Sequence, residues 1–270
     1  TWPVHFPLLG SVGLGFETYR YYDPASHGVD FDAMAQDLKK AVAGDVVLLH
    51  GCCHNPCGAD LTLEQWGVIA AMAERQGFTP FVDFAYQGLG DGLERDAAGL
   101  RLLAEKLPEL IVAASCSKNM GLYRERVGAA LFICRDESNA QALVSQALVA
   151  ARRIYSMPPA HGALLAGRIL SSETLGAAWR RELEAMCLRI NGLRSGLRQK
   201  LEEKSGRDFA FIEREKGMFS FLGLSPEQAL RLRSEYSVYM LDSSRINVAG
   251  VNARNIDYLA ESVAAVLKGT

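Results

Sequence analysis

The sequence predicts an α/β protein in which helices cover both faces of a mostly parallel sheet. Short apolar runs alternate with amphipathic helical patterns through the first half of the chain, and this alternation favours parallel pairing with right-handed crossovers. Several runs are apolar at every position, such as residues 46–49, which is typical of strands buried on both faces. From about Ser138 the pattern becomes almost entirely helical, with an interruption at Pro158 and Pro159.

The elements of the first half follow from the spacing of their apolar residues. Strands are predicted at 16–22, 45–50, 79–84, 110–115 and 127–134. Helices are predicted at 32–42, 63–74 and 97–106. The second of these helices has a capping-box pattern, Thr62 followed by Gln65, which marks a helix start.

The second half contains a long helical pattern over 173–203, followed by shorter elements. These are strands at 209–213, 218–222, 238–241 and 245–248, a helix at 226–235, and a last helix carrying Ile256, Leu259, Val263 and Val266. We therefore predict a large domain over residues 1–185. We also predict the C-terminal part of a smaller α+β domain over residues 186–270, with the long helix as connector.

Composition and charge exclude several classes of protein. A chain of 270 residues with 49% hydrophobic and 22% charged residues has enough apolar side chains for a sizeable core. The 29 basic and 31 acidic residues leave a net charge of −2, which gives no electrostatic basis for binding nucleic acid or an anionic membrane surface. No apolar run approaches the roughly 18 residues that a membrane helix needs.

The six cysteines do not form the pattern of a disulfide framework and indicate a reduced, cytoplasmic protein. Cys52, Cys53 and Cys57 crowd into one short stretch beside His54. However, Cys52 and Cys53 are adjacent rather than two to four residues apart, and no second pair of ligands follows. We therefore predict no metal site.

Polar residues follow three of the predicted strands, where ligands of parallel sheets bind. Asn55 follows one strand, Asp83 and Tyr86 lie at the end of the next, and Lys118 follows the third. A lone lysine is more often a solvated one, but a carboxylate inside an apolar strand requires a charged or hydrogen-bonding partner. A pyridoxal phosphate site needs these groups, since the lysine forms a Schiff base and the carboxylate keeps the pyridine nitrogen protonated.

At this point the sequence resembles a family, the class I (fold type I) pyridoxal-phosphate-dependent aminotransferases, in their aspartate/aromatic branch. The motifs that carry the resemblance run in order along the chain, at 51–56, 82–88, 115–128, 217–220 and 245–250. The resemblance implies an enzyme of amino acid metabolism that exchanges an amino group between an L-amino acid and a 2-oxo acid such as 2-oxoglutarate. The amino acid would be aromatic, aspartate or glutamate. A homodimer with shared active sites is implied as well.

The resemblance also implies roles for residues around the cofactor, pyridoxal 5′-phosphate. Lys118 would bind it covalently and, once freed by substrate, move a proton between the substrate and the cofactor. Asp83 would pair with the pyridine nitrogen, supported by His5. The other cofactor-binding residues contact its phenolic oxygen (Asn55, Tyr86), its ring (Trp2) and its phosphate (Ser115, Arg126, with Ser117 as a further candidate).

Two arginines are implied in substrate binding. Arg245 would hold the α-carboxylate, and Phe219, with Asn55 and Trp2, would complete the pocket. Arg152 would reach the neighbouring subunit's site and bind a side-chain carboxylate; the alternative is a solvated helix face. Met157 stands where aspartate-specialised members carry Asn, which favours aromatic or broad specificity.

The chain departs from the family in three further ways. Cys57 replaces a usual Thr, and Cys116 replaces a frequent Tyr. Relatives also carry a long segment before the part that matches Trp2, with a phosphate-binding helix start, so we expect a longer natural gene product, an N-terminally incomplete large domain and weak cofactor binding by this chain. A catalytically silent fragment of the fold is one alternative. The other is a nucleotide-dependent oxidoreductase, from the glycines at 10–15 and 88–92, which lack the required spacing.

Overall fold

The computed structural model describes residues 1–268, so the last two residues of the predicted second domain, 269 and 270, lie outside the described part. The strands are β1 Tyr22–Asp23, β2 Gly28–Val29, β3 Val46–His50, β4 Thr79–Phe84, β5 Leu110–Ser115, β6 Gly128–Ile133, β7 Phe219–Phe221 and β8 Arg245–Asn247. The helices are α1 His5–Gly10, α2 Phe31–Leu38, α3 Leu63–Gln76, α4 Leu93–Asp96, α5 Ala98–Lys106, α6 Glu137–Tyr155, α7 His161–Ser171, α8 Glu173–Ser205, α9 Phe211–Arg214, α10 Pro226–Tyr236 and α11 Ile256–Lys268.

The central sheet has the strand order β3-β4-β5-β6. Strands β3, β4 and β5 pair in parallel, with Leu49 opposite Val82 and Val82 opposite Val112. Strand β6 is antiparallel to β5 and forms one edge of the sheet. The predicted mostly parallel α/β fold is confirmed, and the carboxyl ends of β3, β4 and β5 meet at one edge, as parallel pairing requires.

Three predicted strands are wrong. Residues 16–22 are irregular until Tyr22, and the tyrosines before it are anchored by their hydroxyls, Tyr19 to the Leu48 carbonyl and Tyr21 to the Ala59 carbonyl. Residues 209–213 enter helix α9 instead, since the Asp208 carboxylate accepts a hydrogen bond from Ala210 N and turns the chain. Residues 238–241 form no strand, because Val238 N bonds back to the Leu232 carbonyl and closes the end of α10.

The helices agree with their sequence signals. Thr62 and Gln65 form the predicted capping box at the start of α3. The long helix α8 begins at the side-chain cap Ser172 and ends at Gly206, which has a positive φ of 71°. No helix within residues 1–268 is long and apolar enough to cross a membrane.

Two hydrophobic clusters form the interior, and α8 contributes to both. Leu183 and Ile190 pack into the first cluster with the sheet and α3, whereas Leu197 and Leu201 pack into the second with α10 and α11. This division supports the domain boundary near residue 185, which stays a prediction.

Candidate active site

The structure brings four of the predicted site residues together at the carboxyl edge of the sheet. Asn55 Nδ2 donates a hydrogen bond of 3.2 Å to the Tyr86 hydroxyl. Lys118 Nζ lies 4.5 Å from the centre of the Tyr86 ring. The charge of Asp83 acts on both Tyr86 and Lys118. Asn55 follows β3, Asp83 and Tyr86 lie at the end of β4, and Lys118 follows β5, so the pairing of these three parallel strands determines their separation.

Lys118 is half-buried beside charges of both signs. Burial lowers the pKa of its amine, the charge of Asp83 opposes this shift, and the charge of Arg126 adds to it. A lowered pKa leaves more of the amine unprotonated near neutral pH, as a nucleophilic lysine requires.

Asp83 is held by a hydrogen bond from His5, whose Nε2 lies 3.1 Å from Asp83 Oδ2. Burial alone would raise the pKa of Asp83, but the hydrogen bond from His5 and nearby positive charge, that of Lys118 included, lower it overall. The carboxylate is therefore ionised at neutral pH, and its predicted support by His5 agrees with the geometry.

The hydrogen bonds continue behind His5 to Thr1 and His50, two residues that the motifs do not predict. Thr1 Oγ1 lies 2.7 Å from His5 Nδ1 and 2.9 Å from His50 Nε2. Burial lowers the pKa of His50 to about 4, so this imidazole is neutral. The position of His50 as the last residue of β3 is the one sequence signal that places it near Asp83.

The loop after β3 presents Asn55. The partly buried carboxylate of Asp60 accepts hydrogen bonds from Cys53 N at 2.6 Å and His54 N at 2.8 Å, which holds the turn before Asn55. Asp60 is a further residue that the motifs do not predict. Burial raises the pKa of Tyr86 to about 12, and the hydrogen bond from Asn55 offsets part of this shift.

The residues predicted to hold a phosphate are only partly assembled. Ser115 Oγ accepts a hydrogen bond of 3.1 Å from Ser117 N, and Ser117 is buried. Arg126 is exposed, and its guanidinium donates to the Tyr123 carbonyl at 2.7 Å. Within residues 1–268 no hydrogen bond joins Arg126 to either serine.

Among the predicted substrate residues, Arg245, Phe219 and Trp2 contact other residues of the site, whereas Arg152 does not. The guanidinium carbon of Arg245 lies 4.0 Å from the centre of the Phe219 ring, and the Phe219 and Tyr86 rings meet edge to face at 6.1 Å. Trp2 contacts His5 edge to face at 5.5 Å and is 38% exposed. Arg152 lies exposed in the last turn of α6, and in the described part of the chain its side chain has no hydrogen bond or ion pair with these residues.

The glycine-rich loop at 88–92 has its amides occupied. The Asp96 carboxylate accepts hydrogen bonds from Gly88 N at 2.7 Å, Gly90 N at 3.0 Å and Asp91 N at 2.7 Å. These donors are not free to bind a phosphate, so the loop does not favour the nucleotide-dependent oxidoreductase.

The side chains at the sheet edge fit pyridoxal phosphate. A primary amine, an ionised carboxylate and a buried amide and phenol pair match the aldehyde, pyridine nitrogen and phenolic oxygen of that cofactor. In addition, Asn55 Oδ1 is buried without a hydrogen-bond partner among the described residues, which leaves one polar atom for a ligand group. The fold and this site define a pyridoxal-phosphate-dependent enzyme.

Comparison with known proteins identifies the family. Residues 1–263 match the family described as aminotransferase class I and II. The chain is 48% identical over 267 residues to the aromatic-amino-acid aminotransferase of Paracoccus denitrificans, covering 98% of this chain and 68% of that protein. It is 50% identical over 268 residues to the aspartate aminotransferase of Escherichia coli (strain K12), covering 99% of this chain and 68% of that protein.

Solved structures agree with this assignment. An aromatic amino acid aminotransferase with 3-indolebutyric acid superposes with a TM-score of 0.96 at 48% identity, over 98% of this chain and 68% of that chain. The aromatic-amino-acid aminotransferase from Burkholderia pseudomallei, covalently bound to pyridoxal phosphate, gives 0.97 at 41% identity, over 99% and 67%. The chain belongs to the class I and II aminotransferases, in the aspartate/aromatic branch.

Proposed function

We propose that this chain transfers an amino group between an L-amino acid and a 2-oxo acid with pyridoxal phosphate bound to Lys118. The main support for this proposal is the position of the Lys118 amine, which has a lowered pKa, lies beside Tyr86 and interacts with the charge of Asp83. When bound, pyridoxal phosphate supplies an electron-withdrawing ring that makes the α-proton of the amino acid acidic.

Lys118 and Asp83 have complementary roles in proton transfer. The Lys118 amine accepts the proton from the α-carbon as a general base and returns it as a general acid, which its lowered pKa favours. The ionised Asp83 carboxylate holds a proton at the pyridine nitrogen, and the hydrogen bond from His5 keeps that carboxylate in place.

Arg245 and Phe219 bind and orient the substrate. A guanidinium offers two parallel N–H donors to the α-carboxylate of an amino acid. The Phe219 ring packs against the Arg245 guanidinium, and the Tyr86 ring contacts Phe219 edge to face. Ser115, Ser117 and Arg126 would hold the phosphate and Trp2 would stack on the ring.

Aromatic and dicarboxylic amino acids are both proposed substrates. The relatives of the two kinds are 48% and 50% identical to this chain, so overall identity does not separate them. Met157, with its apolar side chain, favours aromatic or broad specificity. Arg152 would bind a side-chain carboxylate in the site of a second subunit of a homodimer, which its exposure on α6 permits. Free thiols support a cytoplasmic location.

Covalent capture tests the lysine assignment. The chain is incubated with pyridoxal phosphate and reduced with borohydride, and the modified peptide is mapped by mass spectrometry. We expect the adduct on Lys118 and its loss in Lys118→Met, while Lys106→Met, an exposed lysine at the end of α5, retains it. An adduct elsewhere, or none, contradicts the assignment and favours the catalytically silent alternative.

Amino-group transfer tests the substrate classes. The donor half-reaction is measured alone, as release of the 2-oxo acid from phenylalanine or aspartate by the chain loaded with pyridoxal phosphate, because the acceptor 2-oxoglutarate carries a second carboxylate of its own. We expect Arg152→Ala to lower the rate with aspartate far more than the rate with phenylalanine, since of these two donors only aspartate carries a second carboxylate. An equal loss with both donors contradicts the role of Arg152.

A further inference from the structure

A buried arginine lies between the two hydrophobic clusters. Arg194, on α8, is 1% exposed, and charged side chains are almost never so buried unless they are paired. Its guanidinium donates hydrogen bonds to four backbone carbonyls and one hydroxyl. The acceptors are Ile212 O at 2.9 Å, Lys216 O at 3.0 Å, Gly217 O at 2.8 Å, Phe219 O at 2.6 Å and Ser220 Oγ at 2.8 Å.

A buried acidic side chain lies beside Arg194. Glu215, also 1% exposed, places Oε2 3.7 Å from Arg194 Nη1. The Ser220 hydroxyl accepts from Arg194 and donates to Glu215, so it bridges the two side chains. A buried charge with this many partners holds its neighbours in one geometry, because removing any of them leaves a polar group unsatisfied.

The carbonyls that Arg194 binds belong to the segment that presents the substrate residues. Phe219 begins β7, and β7 pairs with β8 so that Phe221 lies opposite Arg245. Val248 N also donates to the Met218 carbonyl at 2.7 Å, which ties the end of β8 to the same segment. The path of residues 216–219 therefore determines where Phe219 and Arg245 meet.

The loop that presents Asn55 contacts this same segment. Lys216 N donates to the Gly58 carbonyl at 2.7 Å. A Cβ added to Gly58 would lie 2.5 Å from Phe219 O and 3.3 Å from Arg194 Nη2, and a Cβ on Gly217 would overlap Cys53. Gly58 and Gly217 therefore permit the loop that presents Asn55 to contact the backbone of residues 216–219 beside Arg194.

We infer that Arg194, with Glu215 and Ser220, is a positioning residue that sets Asn55 relative to Phe219 and Arg245. The guanidinium is needed because one group must donate to carbonyls in several directions, whereas a lysine ammonium has three donors. This inference rests on the proposed function for its kinetic consequence. The juxtaposition of the two backbone segments is a property of the chain itself.

Hydrogen exchange measured by NMR or mass spectrometry tests the juxtaposition without cofactor. In Arg194→Lys we expect exchange of the Gly58, Lys216 and Val248 amides to accelerate about tenfold relative to the amides of α11. Ser220→Ala, which removes only the bridging hydroxyl, should accelerate the same amides less and keeps the test possible if the first variant does not fold.

Arg198→Met is the matched control. Arg198 lies one turn along α8 and pairs with Glu202 and Glu213, but it donates to none of the carbonyls at 216–219. It should leave the three amides unchanged. Leu232→Ala, in the second cluster, reports what a general loss of stability does. If Arg194→Lys accelerates all amides equally, as Leu232→Ala is expected to do, the positioning role is wrong.

Steady-state kinetics of the chain loaded with pyridoxal phosphate provide a second test. We expect Arg194→Lys to raise the KM for the amino acid about tenfold while kcat changes less and the Lys118 adduct still forms, since Arg245 and Phe219 are displaced and Lys118 is not. An unchanged KM contradicts the inference. A wild-type chain with no Lys118 adduct contradicts the proposed function instead, and the exchange measurement still decides the position of the two segments.

Discussion

Two parts of the central sheet are equally apolar in sequence but differ in burial. The first, called the buried side here, consists of β3, β4 and β5, and the second consists of the edge strand β6 with helix α6. Val82 on β4 and Leu110 on β5 are 0% and 1% exposed, whereas Leu131 on β6 is 49% exposed. Helix α6, which follows β6, has no buried residue along its 19 residues. The residues with assembled site contacts, Asp83 among them, lie on the buried side. An apolar run therefore indicates that a strand should be covered, but only its neighbours determine whether it is.

The largest expected effect concerns the chemistry on the buried side. Asp83→Asn should lower kcat/KM by roughly 10³-fold, because it removes the negative charge that holds a proton at the pyridine nitrogen. Steady-state amino-group transfer measures the loss. Asp37→Asn, which breaks an exposed ion pair with Arg20, is the control and should change activity little. Comparable losses in the two variants would place the effect of Asp83 in stability rather than in the reaction.

The next largest effect is expected on stability, when an apolar side chain is shortened on β5 or on β6. Leu110→Ala removes a side chain that is 1% exposed, so we expect it to lower the free energy of unfolding by about 2–5 kcal/mol. Leu131→Ala, at 49% exposure on β6, should cost less than about 1 kcal/mol. Urea denaturation followed by circular dichroism measures both. Equal costs would show that the β6 side is as well packed as the rest of the sheet.

Because His50 is neutral in the folded protein, the stability of the chain should depend on pH. Its pKa is about 4 in the folded protein and 6.5 in the unfolded chain, so between these values the unfolded chain binds more protons and stability increases with pH. From pH 7 to pH 5 this difference lowers the free energy of unfolding by about 2 kcal/mol.

His50→Gln should remove that part of the pH dependence, as measured by urea denaturation at the two pH values. If the drop from pH 7 to pH 5 is as large in His50→Gln as in the wild type, His50 is not the group responsible.

The smallest expected effect is on the exposed helix α6. Leu148 is 66% exposed, so Leu148→Gln should change the free energy of unfolding of this chain by no more than about 0.5 kcal/mol. Thermal unfolding of the two proteins at equal concentration measures the difference. A much larger loss would show that this face of α6 is covered in solution.

Much of the fold was predictable because its signals are local. Continuous apolar runs placed β3, β4 and β5 correctly to within one residue, and the capping box marked the start of α3. The strand predicted at 209–213 failed because an apolar run that short has no period of its own. Its helical path depends on the Asp208 carboxylate and on the Ile212 carbonyl, which Arg194 binds.

The site residues also fall into those that local sequence signals predict and those that only tertiary contacts reveal. Lys118, Asp83, Tyr86 and Asn55 were predictable, because reactive residue types directly follow strands that must lie side by side. Thr1, His50 and Asp60 were not, because a histidine or a carboxylate shows its role only through the atom that it contacts. Arg194 resembles any other arginine of a charged helix until its burial is seen.

The sequence by itself determined the order of the elements, the family and the reactive groups, since these depend on residue type and spacing along the chain. The tertiary structure alone decided which carbonyls Arg194 binds, which hydroxyl supports His5, and which apolar faces are covered. The physical reason is that hydrogen bonds and burial depend on distance and direction between atoms far apart in sequence, and only packing determines these.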